Sequence, residues 1–281
     1  MFPSLKIHIN AWSLLDEADL ETEVGLRTHL AAVKEAGFQS YSCNPRQPKL
    51  KELLAEYGLR YGGIFEASEP AQFAPLITAI MAIDNDPINC QLANHDTSVE
   101  KAIALTIALM AEAKKQNASV HLEVHRDTCT ETPEKTSAII EGYKAATGEY
   151  PAMNFDFSHP AIVKHILAKD RFSRLLTEKT IPVFQQSNLW HIRPFNAQHC
   201  QIPITNGKGN FAPEYEACRP FIRQALACWL EGARPHNEFW VVPEVGTTHE
   251  YHLSCFPNAW NDTVALGKDL QMMWRELLSS P

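Results

Sequence analysis

Four side chains that can bind a divalent metal ion each follow a short apolar run, at widely separated places in the sequence. They are Glu123, Asp156, His191 and Glu244. Ionised carboxylates that are buried close together repel one another and lose hydration, and a divalent cation relieves both penalties. Three carboxylates and one imidazole suit Mn²⁺, Mg²⁺ or Co²⁺, with Zn²⁺ as a further option. One such residue alone is more often a solvated loop residue, so the predicted metal site depends on all four occurring together.

The runs that precede these residues belong to a repeating pattern of strands and amphipathic helices. The predicted strands are Lys6–Ala11, Gln39–Cys43, Leu59–Phe65, Ile88–His95, Ser119–His125, Met153–Phe157, Asn188–Arg193 and Phe239–Glu244. The predicted helices are Glu21–Glu35, Lys49–Tyr57, Val99–Lys115, Pro133–Thr147, Pro213–Gly232 and Asn261–Leu278. Alternation of strand and helix predicts parallel strands that are joined by helical crossovers.

The number of strand–helix units selects the architecture. Eight predicted units in 281 residues are typical of a (β/α)8 TIM barrel, which takes about 250 residues. The main alternative, an open doubly wound sheet, is disfavoured because no GxGxxG follows the first strand. We therefore predict an α/β protein with a single TIM-barrel domain over residues 1–281. The active site of such a barrel lies at the carboxyl ends of its strands, where the four candidate ligands fall.

Other side chains are predicted to lie at the mouth of the barrel, where a substrate would bind. These candidate substrate contacts are Trp12, Phe65, His95, His199 and Lys208. The two aromatic residues could stack on a sugar, but such residues are as often part of the core. The last two lie in residues 195–210, a segment without a regular pattern that is long enough to be a functional loop or lid.

The segments around the four candidate ligands resemble those of a known superfamily. The carriers of the resemblance are Leu122-Glu123-Val124-His125-Arg126, Asp156-Phe157-Ser158-His159 (a D-x-x-H element), Trp190-His191-Ile192-Arg193-Pro194 and Val242-Pro243-Glu244-Val245-Gly246. The chain resembles the xylose isomerase-like TIM-barrel superfamily, which holds sugar phosphate isomerases and epimerases and relatives of endonuclease IV. The resemblance implies that Glu123, Asp156, His191 and Glu244 hold the metal, with His159 beside it on the substrate. His125 and Arg126 are further candidate substrate contacts.

Such a site suits proton transfer next to a carbonyl group. A divalent ion that chelates a carbonyl oxygen and a neighbouring hydroxyl stabilises an enediolate. Glu123 and Glu244 come from non-adjacent strands, so one could remove the proton and the other return it, which gives epimerisation; return to the adjacent carbon gives isomerisation. His159 and Arg193 would donate hydrogen bonds to the developing oxyanion, although Arg193 could equally be a structural cation. We predict a divalent-metal-dependent isomerase or epimerase of a sugar, sugar acid or polyol that acts through a metal-bound enediolate.

Two alternatives remain open. The same enediolate can expel a β-hydroxyl, which would make the protein a metal-dependent dehydratase (a lyase) of an inosose-like or dehydroshikimate-like keto compound. A barrel that binds a sugar without catalysis is the other, but a decayed site would be expected to have lost at least one ligand. Ketose epimerases usually carry an acidic residue shortly after the metal-binding histidine, where this chain has Arg193. That difference leaves room for a keto-acid or sugar-acid substrate.

Composition and charge limit the partners and the compartment. The chain has 25 Lys and Arg against 33 Asp and Glu, a net charge of −8, and no basic block. This argues against nucleic acid and anionic membranes as partners. Seven cysteines without a CxxC motif indicate reduced thiols, and the first residues lack the pattern of a secretory signal. We expect a cytoplasmic protein with a small-molecule carbohydrate or keto-acid substrate, and a homodimer is the default assembly.

Overall fold

The computed structural model of the protein describes residues 2–234, 237–248 and 250–279. Residues 1, 235–236, 249 and 280–281 of the predicted 1–281 domain lie outside the described residues. The strands in the described part of the chain are β1 (Ser4–Asn10), β2 (Ser40–Ser42), β3 (Arg60–Tyr61), β4 (Ile64–Ala67), β5 (Ile88–Leu92), β6 (Val120–Glu123), β7 (Met153–Asn154), β8 (Leu189–Ile192) and β9 (Glu238–Pro243).

Helices connect the strands and cover the outside of the sheet. They are α1 (Glu23–Glu35), α2 (Leu50–Tyr57), α3 (Phe73–Met81), α4 (Val99–Lys115), α5 (Pro133–Thr147), α6 (Ser158–Val163), α7 (Arg171–Leu175), α8 (Ile181–Phe184), α9 (Pro213–Gly232) and α10 (Ala259–Ser279). None of the helices in the described residues combines the length and the apolar character needed to cross a membrane.

The strands form one parallel sheet that curls into a barrel. The strand order is β3-β2-β1-β9-β8-β7-β6-β5-β4, and every pairing is parallel. Because β4 begins three residues after β3 ends, the two outer strands of this order are joined through Gly62 and Gly63. The α/β TIM-barrel prediction is therefore confirmed, with nine strands in the described residues where eight were predicted.

The additional strand arises because the predicted strand Leu59–Phe65 is divided at two glycines. A Cβ atom on Gly62 would lie 2.7 Å from Cε1 of His8, and one on Gly63 would lie 2.4 Å from Cγ2 of Ile80. A side chain at either position would require these neighbours to shift, and glycine inside a strand interrupts regular pairing. β3 consequently pairs with β2, and β4 pairs with β5.

Helix boundaries follow local chemistry. The hydroxyl of Ser98 accepts a hydrogen bond from the Lys101 amide at the start of α4 (3.3 Å), and Thr132 does the same for Lys135 at the start of α5 (3.2 Å). Such side chains satisfy amides that have no partner within the helix. α5 ends at Gly148, whose φ of 81° lies in the left-handed region that favours glycine. The predicted bounds of α4, α5 and α9 match the structure.

Alternation along β9 divides its side chains between the outer core and the barrel interior. Phe239 and Val241 belong to the large core between the sheet and the helices. Trp240 and Val242 instead form a separate apolar cluster with Leu189 of β8. Because successive side chains of a strand point to opposite faces, this second cluster lies inside the barrel. The same alternation brings His191 and Glu244 to the interior, toward the carboxyl ends of β8 and β9.

Candidate active site

Glu123, His191 and Glu244 come together at the carboxyl ends of β6, β8 and β9. One ligand atom from each residue lies within 4.8 Å of the others, and all three residues are buried. Nδ1 of His191 is 2.9 Å from Oε1 of Glu123 and 3.2 Å from Oε2 of Glu244. Glu123 is the last residue of β6, His191 is the residue before the end of β8, and Glu244 directly follows β9. All three have inward parity, so three distant parts of the sequence meet at one place.

Asp156, the fourth predicted ligand, follows β7 and is fully buried. Its Oδ1 accepts a hydrogen bond from the Ser158 amide at 2.9 Å. Its Oδ2 lies 3.2 Å from Nε2 of His159 and 3.7 Å from Nη1 of Arg193. Asp156 therefore lies outside the close group of three, and its assignment as a ligand stays a prediction.

A second observation concerns the polar atoms of the four predicted ligands. Among the described residues, the buried polar side-chain atoms without a hydrogen-bond partner include Oε1 of Glu123, Oδ2 of Asp156, Nδ1 of His191 and Oε2 of Glu244. Each of these atoms instead lies within ion-pair distance of an oppositely charged neighbour: His191 for the two glutamates, and His159 for Asp156. Three buried carboxylates share few cations in this group, and a bound divalent cation would offset the repulsion between them.

Two asparagines support the ligands from neighbouring strands. The side-chain amide of Asn89 on β5 donates to Oε2 of Glu123 at 2.7 Å. Asn154 on β7 donates to Oδ1 of Asn89 at 2.9 Å and accepts from the His191 main-chain amide at 2.8 Å. The relay connects β5 to β8 and fixes Glu123 and His191. The sequence analysis did not identify these asparagines, although each is a polar residue of inward parity in an apolar strand.

Opposite charges control the ionisation of the buried ligands. Burial alone would raise the pKa of Glu123, but the adjacent His191 outweighs this effect and lowers the pKa to about 2. Burial would lower the pKa of His191, but the charges of Glu244 and Glu123 raise it to about 10. A histidine must lose the proton on its ligating nitrogen to bind a metal, so binding and proton release are coupled here.

Arg193 and His159 lie beside the ligands. Nη2 of Arg193 is 2.9 Å from Oε2 of Glu244, and Nη1 is 3.1 Å from Nε2 of His159. Burial lowers the pKa of His159, but the carboxylate of Asp156 outweighs it and raises the pKa to about 9. Both side chains are buried among the carboxylates, so their hydrogen-bond donors are close to any molecule that contacts the four ligands.

An aromatic layer covers Arg193. The ring centroids of Trp12 and Tyr251 lie 5.0 Å and 4.4 Å from its guanidinium carbon. Tyr251 also lies 4.9 Å from the guanidinium carbon of Arg126, so its ring contacts two cations. The structure places the predicted substrate contacts Trp12 and Arg126 near the site. Tyr251, in the segment after β9, was not predicted.

His125 lies between the buried ligands and an open cavity. Its ring centroid is 3.7 Å from that of His159, and its side chain lines a cavity of about 450 Å³. Polar side chains make up much of the lining, among them Glu66, Gln91 and Arg126. The cavity is within the size range of small-molecule sites, and His125 and Arg126 connect it to the candidate metal ligands.

The remaining predicted contacts lie elsewhere. Phe65 is buried in the core. His95 is exposed, with Nδ1 facing Asp127 at 2.5 Å. Nδ1 of His199 forms a hydrogen bond with Oδ1 of Asn196 at 3.1 Å, and Lys208 is exposed. These positions do not join the cluster, and the roles of the four residues in substrate binding stay predictions.

No protein-family model matches the sequence, and no curated protein matches it. Solved structures do match the fold. A structure of L-ribulose 3-epimerase gives a TM-score of 0.61 at 14% identity, with 98% of each chain covered. A xylose isomerase-like TIM barrel protein from Mycobacterium smegmatis in complex with magnesium gives a TM-score of 0.59 at 15% identity, and the match covers 99% of this chain and 100% of that one. A probable 3-DHS dehydratase from Bacillus anthracis, involved in petrobactin synthesis, gives a TM-score of 0.56 at 16% identity, and the match covers 95% of this chain and 98% of that one. The chain therefore has the fold of the xylose isomerase-like TIM barrels, as predicted.

Proposed function

We propose that the protein is a divalent-metal-dependent isomerase or epimerase of a small carbohydrate, sugar acid or polyol. The observation that carries this proposal is the buried group of Glu123, His191 and Glu244, whose ligand atoms all lie within 4.8 Å of one another. Arg193 joins Asp156 to this group, since it contacts both Asp156 and Glu244. The similarity of the fold to an epimerase, and to a protein solved with magnesium, supports the same chemistry. Mn²⁺, Mg²⁺ and Co²⁺ suit a ligand set that is rich in carboxylates.

A divalent ion held by these residues would polarise the carbonyl group of the substrate and acidify the neighbouring C–H. Glu123 and Glu244 are the candidates for moving that proton, since they approach from the separate strands β6 and β9. In an epimerase one carboxylate would remove the proton and the other would return it to the opposite face. In an isomerase the proton would return to the adjacent carbon.

Arg193 and His159 are assigned to the oxyanion that develops as the proton leaves. Both are buried beside the ligands, and hydrogen bonds from such preorganised donors are strong because little water screens them. Trp12 and Tyr251 would hold the Arg193 side chain in place through their ring faces. The cavity beside His125 would receive the part of the substrate that does not react.

Dehydration is the second candidate, because a structure with the same fold is a probable 3-DHS dehydratase. In that case the same proton removal would be followed by loss of a β-hydroxyl as water, on an inosose-like or dehydroshikimate-like compound. A sugar-binding barrel without catalysis would show neither reaction. The seven free thiols, six of them buried, support a reducing compartment such as the cytoplasm.

Deuterium exchange tests the step that both reactions share. The Mn²⁺-loaded protein would be incubated in D₂O with a panel of ketoses, inososes and keto acids, and exchange at C–H positions next to the carbonyl would be followed by NMR after the metal is removed. We expect exchange with at least one compound, and none with metal-free protein. An isomerised product supports the first function, and loss of water supports the second. No exchange with any compound would count against both and favour a binding protein.

A further inference from the structure

The cavity beside the candidate metal ligands is lined by a cation that the protein itself leaves unpaired. Arg126 follows β6 and lines this cavity of about 450 Å³. Within the described residues its guanidinium contacts the ring of Tyr251 and forms no ion pair. Arg193, which contacts the same ring, is instead paired with Asp156 and Glu244. Arg126 is therefore available to bind an anionic group of a ligand.

Two buried threonines hold the turn that carries Arg126. The Thr128 hydroxyl donates to the His125 carbonyl oxygen at 2.7 Å. The Thr130 hydroxyl accepts from the His125 amide at 3.2 Å and donates to the Glu123 carbonyl oxygen at 2.5 Å. The backbone at Arg126 is thus fixed relative to the end of β6, so its side chain starts from a defined point beside the candidate ligand Glu123.

The cavity lies on the same face of the sheet as the candidate metal site. Glu66 on β4 and Gln91 on β5 are register partners, and both line the cavity. Asn89, two residues before Gln91, contacts Glu123 inside the barrel. Because side chains two residues apart on a strand share a face, Glu66 and Gln91 face the same interior, nearer the carboxyl ends of their strands. One ligand can therefore reach from the metal site into the cavity.

The acidic side chains of the lining limit which anion fits. Asp127 is already engaged, with Oδ1 at 2.5 Å from Nδ1 of His95. Glu66 pairs with no cation in the described part of the chain, Arg126 included. A carboxylate accepts hydrogen bonds from the hydroxyl groups of a sugar, but it repels a second negative charge on the same ligand. The cavity thus suits a ligand that has one negative charge and several hydroxyls.

We propose that the substrate is a sugar acid, whose carboxylate binds Arg126 while its carbonyl group lies at the metal site. This inference rests on the proposed function and narrows its substrate class. A guanidinium binds a carboxylate through two parallel hydrogen bonds, and the ring of Tyr251 supports the planar group from its face. Glu66 and Gln91 bind the hydroxyls between the two ends of the molecule. The carboxylate is then far from the carbon that loses its proton.

Binding of matched ligands tests this inference without turnover. D-Fructuronate and D-fructose differ only at one end, where the first has a carboxylate and the second a hydroxymethyl group; D-tagaturonate and D-tagatose form a second pair. Isothermal titration calorimetry on the full chain, with and without Mg²⁺, compares the members of each pair. We expect at least one acid to bind about 10–100-fold more tightly than its neutral partner, since hydrogen bonds between charged groups contribute that much.

Substitution of the arginine identifies the group responsible. Arg126→Gln should abolish the difference between acid and neutral ketose, and Arg126→Lys, which keeps the charge but not the planar group, should retain part of it. The matched control is Arg275→Gln, at an exposed arginine on α10, which should bind both members of each pair like the wild type.

Several results would overturn the inference. In the wild-type protein these are failure of both acids to bind, equal affinity for acid and neutral ketose, or tighter binding of the dianion D-fructose 6-phosphate than of either acid. A preference for the acid that persists in folded Arg126→Gln would overturn it as well. Proton exchange confined to neutral ketoses would support the proposed function and contradict this inference. A protein that prefers the acids through Arg126 but exchanges no proton supports the carboxylate site and counts only against the proposed function.

Discussion

Arg193 lies directly against Glu244. Nη2 of the guanidinium is 2.9 Å from Oε2 of the carboxylate, and Nε donates to the Glu244 main-chain oxygen at 3.3 Å. Both side chains are buried, so the contact fixes the direction in which the carboxylate points. Arg193, which follows β8 and is always charged, therefore holds Glu244 in one orientation whether or not a metal ion is bound.

Because Glu244 is held in one orientation, a substitution at this position is a direct test of proton transfer. Glu244→Gln keeps the size of the side chain but removes the charge and the ability to accept a proton, so we expect proton exchange to fall by about 10²–10⁴-fold. Circular dichroism should show an unchanged fold. The control is Glu134→Gln, which breaks the surface ion pair with Lys164 and should retain activity. Exchange at the wild-type rate in Glu244→Gln would remove this residue from the mechanism.

Removal of metal should abolish the activity reversibly. Dialysis against a chelator is expected to stop deuterium exchange, and Mn²⁺ or Co²⁺ should restore it because the ligands are rich in carboxylates. Metal should also raise the melting temperature, since a ligand at 100 times its Kd stabilises the folded state by about 2.7 kcal/mol. Full exchange activity in protein shown to be metal-free by elemental analysis would contradict the proposal.

The asparagine relay should contribute to metal affinity. Asn89→Ala removes the hydrogen bond to Oε2 of Glu123, which would let this carboxylate rotate, and we expect Mn²⁺ binding to weaken by about 10–100-fold. Isothermal titration calorimetry measures the change directly. Asn85→Ala, at an exposed asparagine, is the control and should bind like the wild type. Equal affinities for all three proteins would show that the relay has no part in holding the ion.

Acid should destabilise the fold through His8, which lies on β1 with Nδ1 at 2.7 Å from the Ser40 hydroxyl. Burial, assisted by His191, lowers its pKa from 6.5 to about 3. Between these values the unfolded chain binds a proton that the folded chain does not, so the stabilisation present above pH 6.5 is lost as the pH falls. The slope from this group reaches about 1.4 kcal/mol per pH unit.

Urea denaturation of the metal-free protein between about pH 7 and pH 4 measures that slope. His8→Gln cannot take up the proton, so its free energy of unfolding should fall less steeply with acid than that of the wild type. His199→Gln, at an exposed position, should retain the wild-type slope. Parallel pH curves for wild type and His8→Gln would contradict this prediction, because they would show that His8 has the same pKa in the folded and unfolded states.

Much of the fold was predictable because its signals are local. The hydroxyls of Ser98 and Thr132 cap α4 and α5, and the predicted bounds of both helices are correct. The division between β3 and β4 was missed because the two strands pair with different neighbours, β2 and β5, which no local pattern reveals. Helix α3 was missed because its sequence, FAPLITAIM, is apolar on nearly every side.

The site was partly predictable for a related reason. Glu123, His191 and Glu244 could be found from the alternation within their own strands, since parity and strand ends are properties of the local sequence. The relay of Asn89 and Asn154 requires knowledge of which strands are neighbours. The contact of Arg126 with Tyr251 requires the path of the irregular segment after β9, which no local pattern specifies.

Anomalous diffraction from a crystal grown with Mn²⁺ tests the four-residue metal site most directly, because it locates the ion without reference to any substrate. We expect a single strong peak at the carboxyl ends of β6 to β9, within about 2.0–2.3 Å of atoms from Glu123, Asp156, His191 and Glu244. A fully loaded crystal with no peak there, or with its manganese bound elsewhere on the chain, would contradict the account.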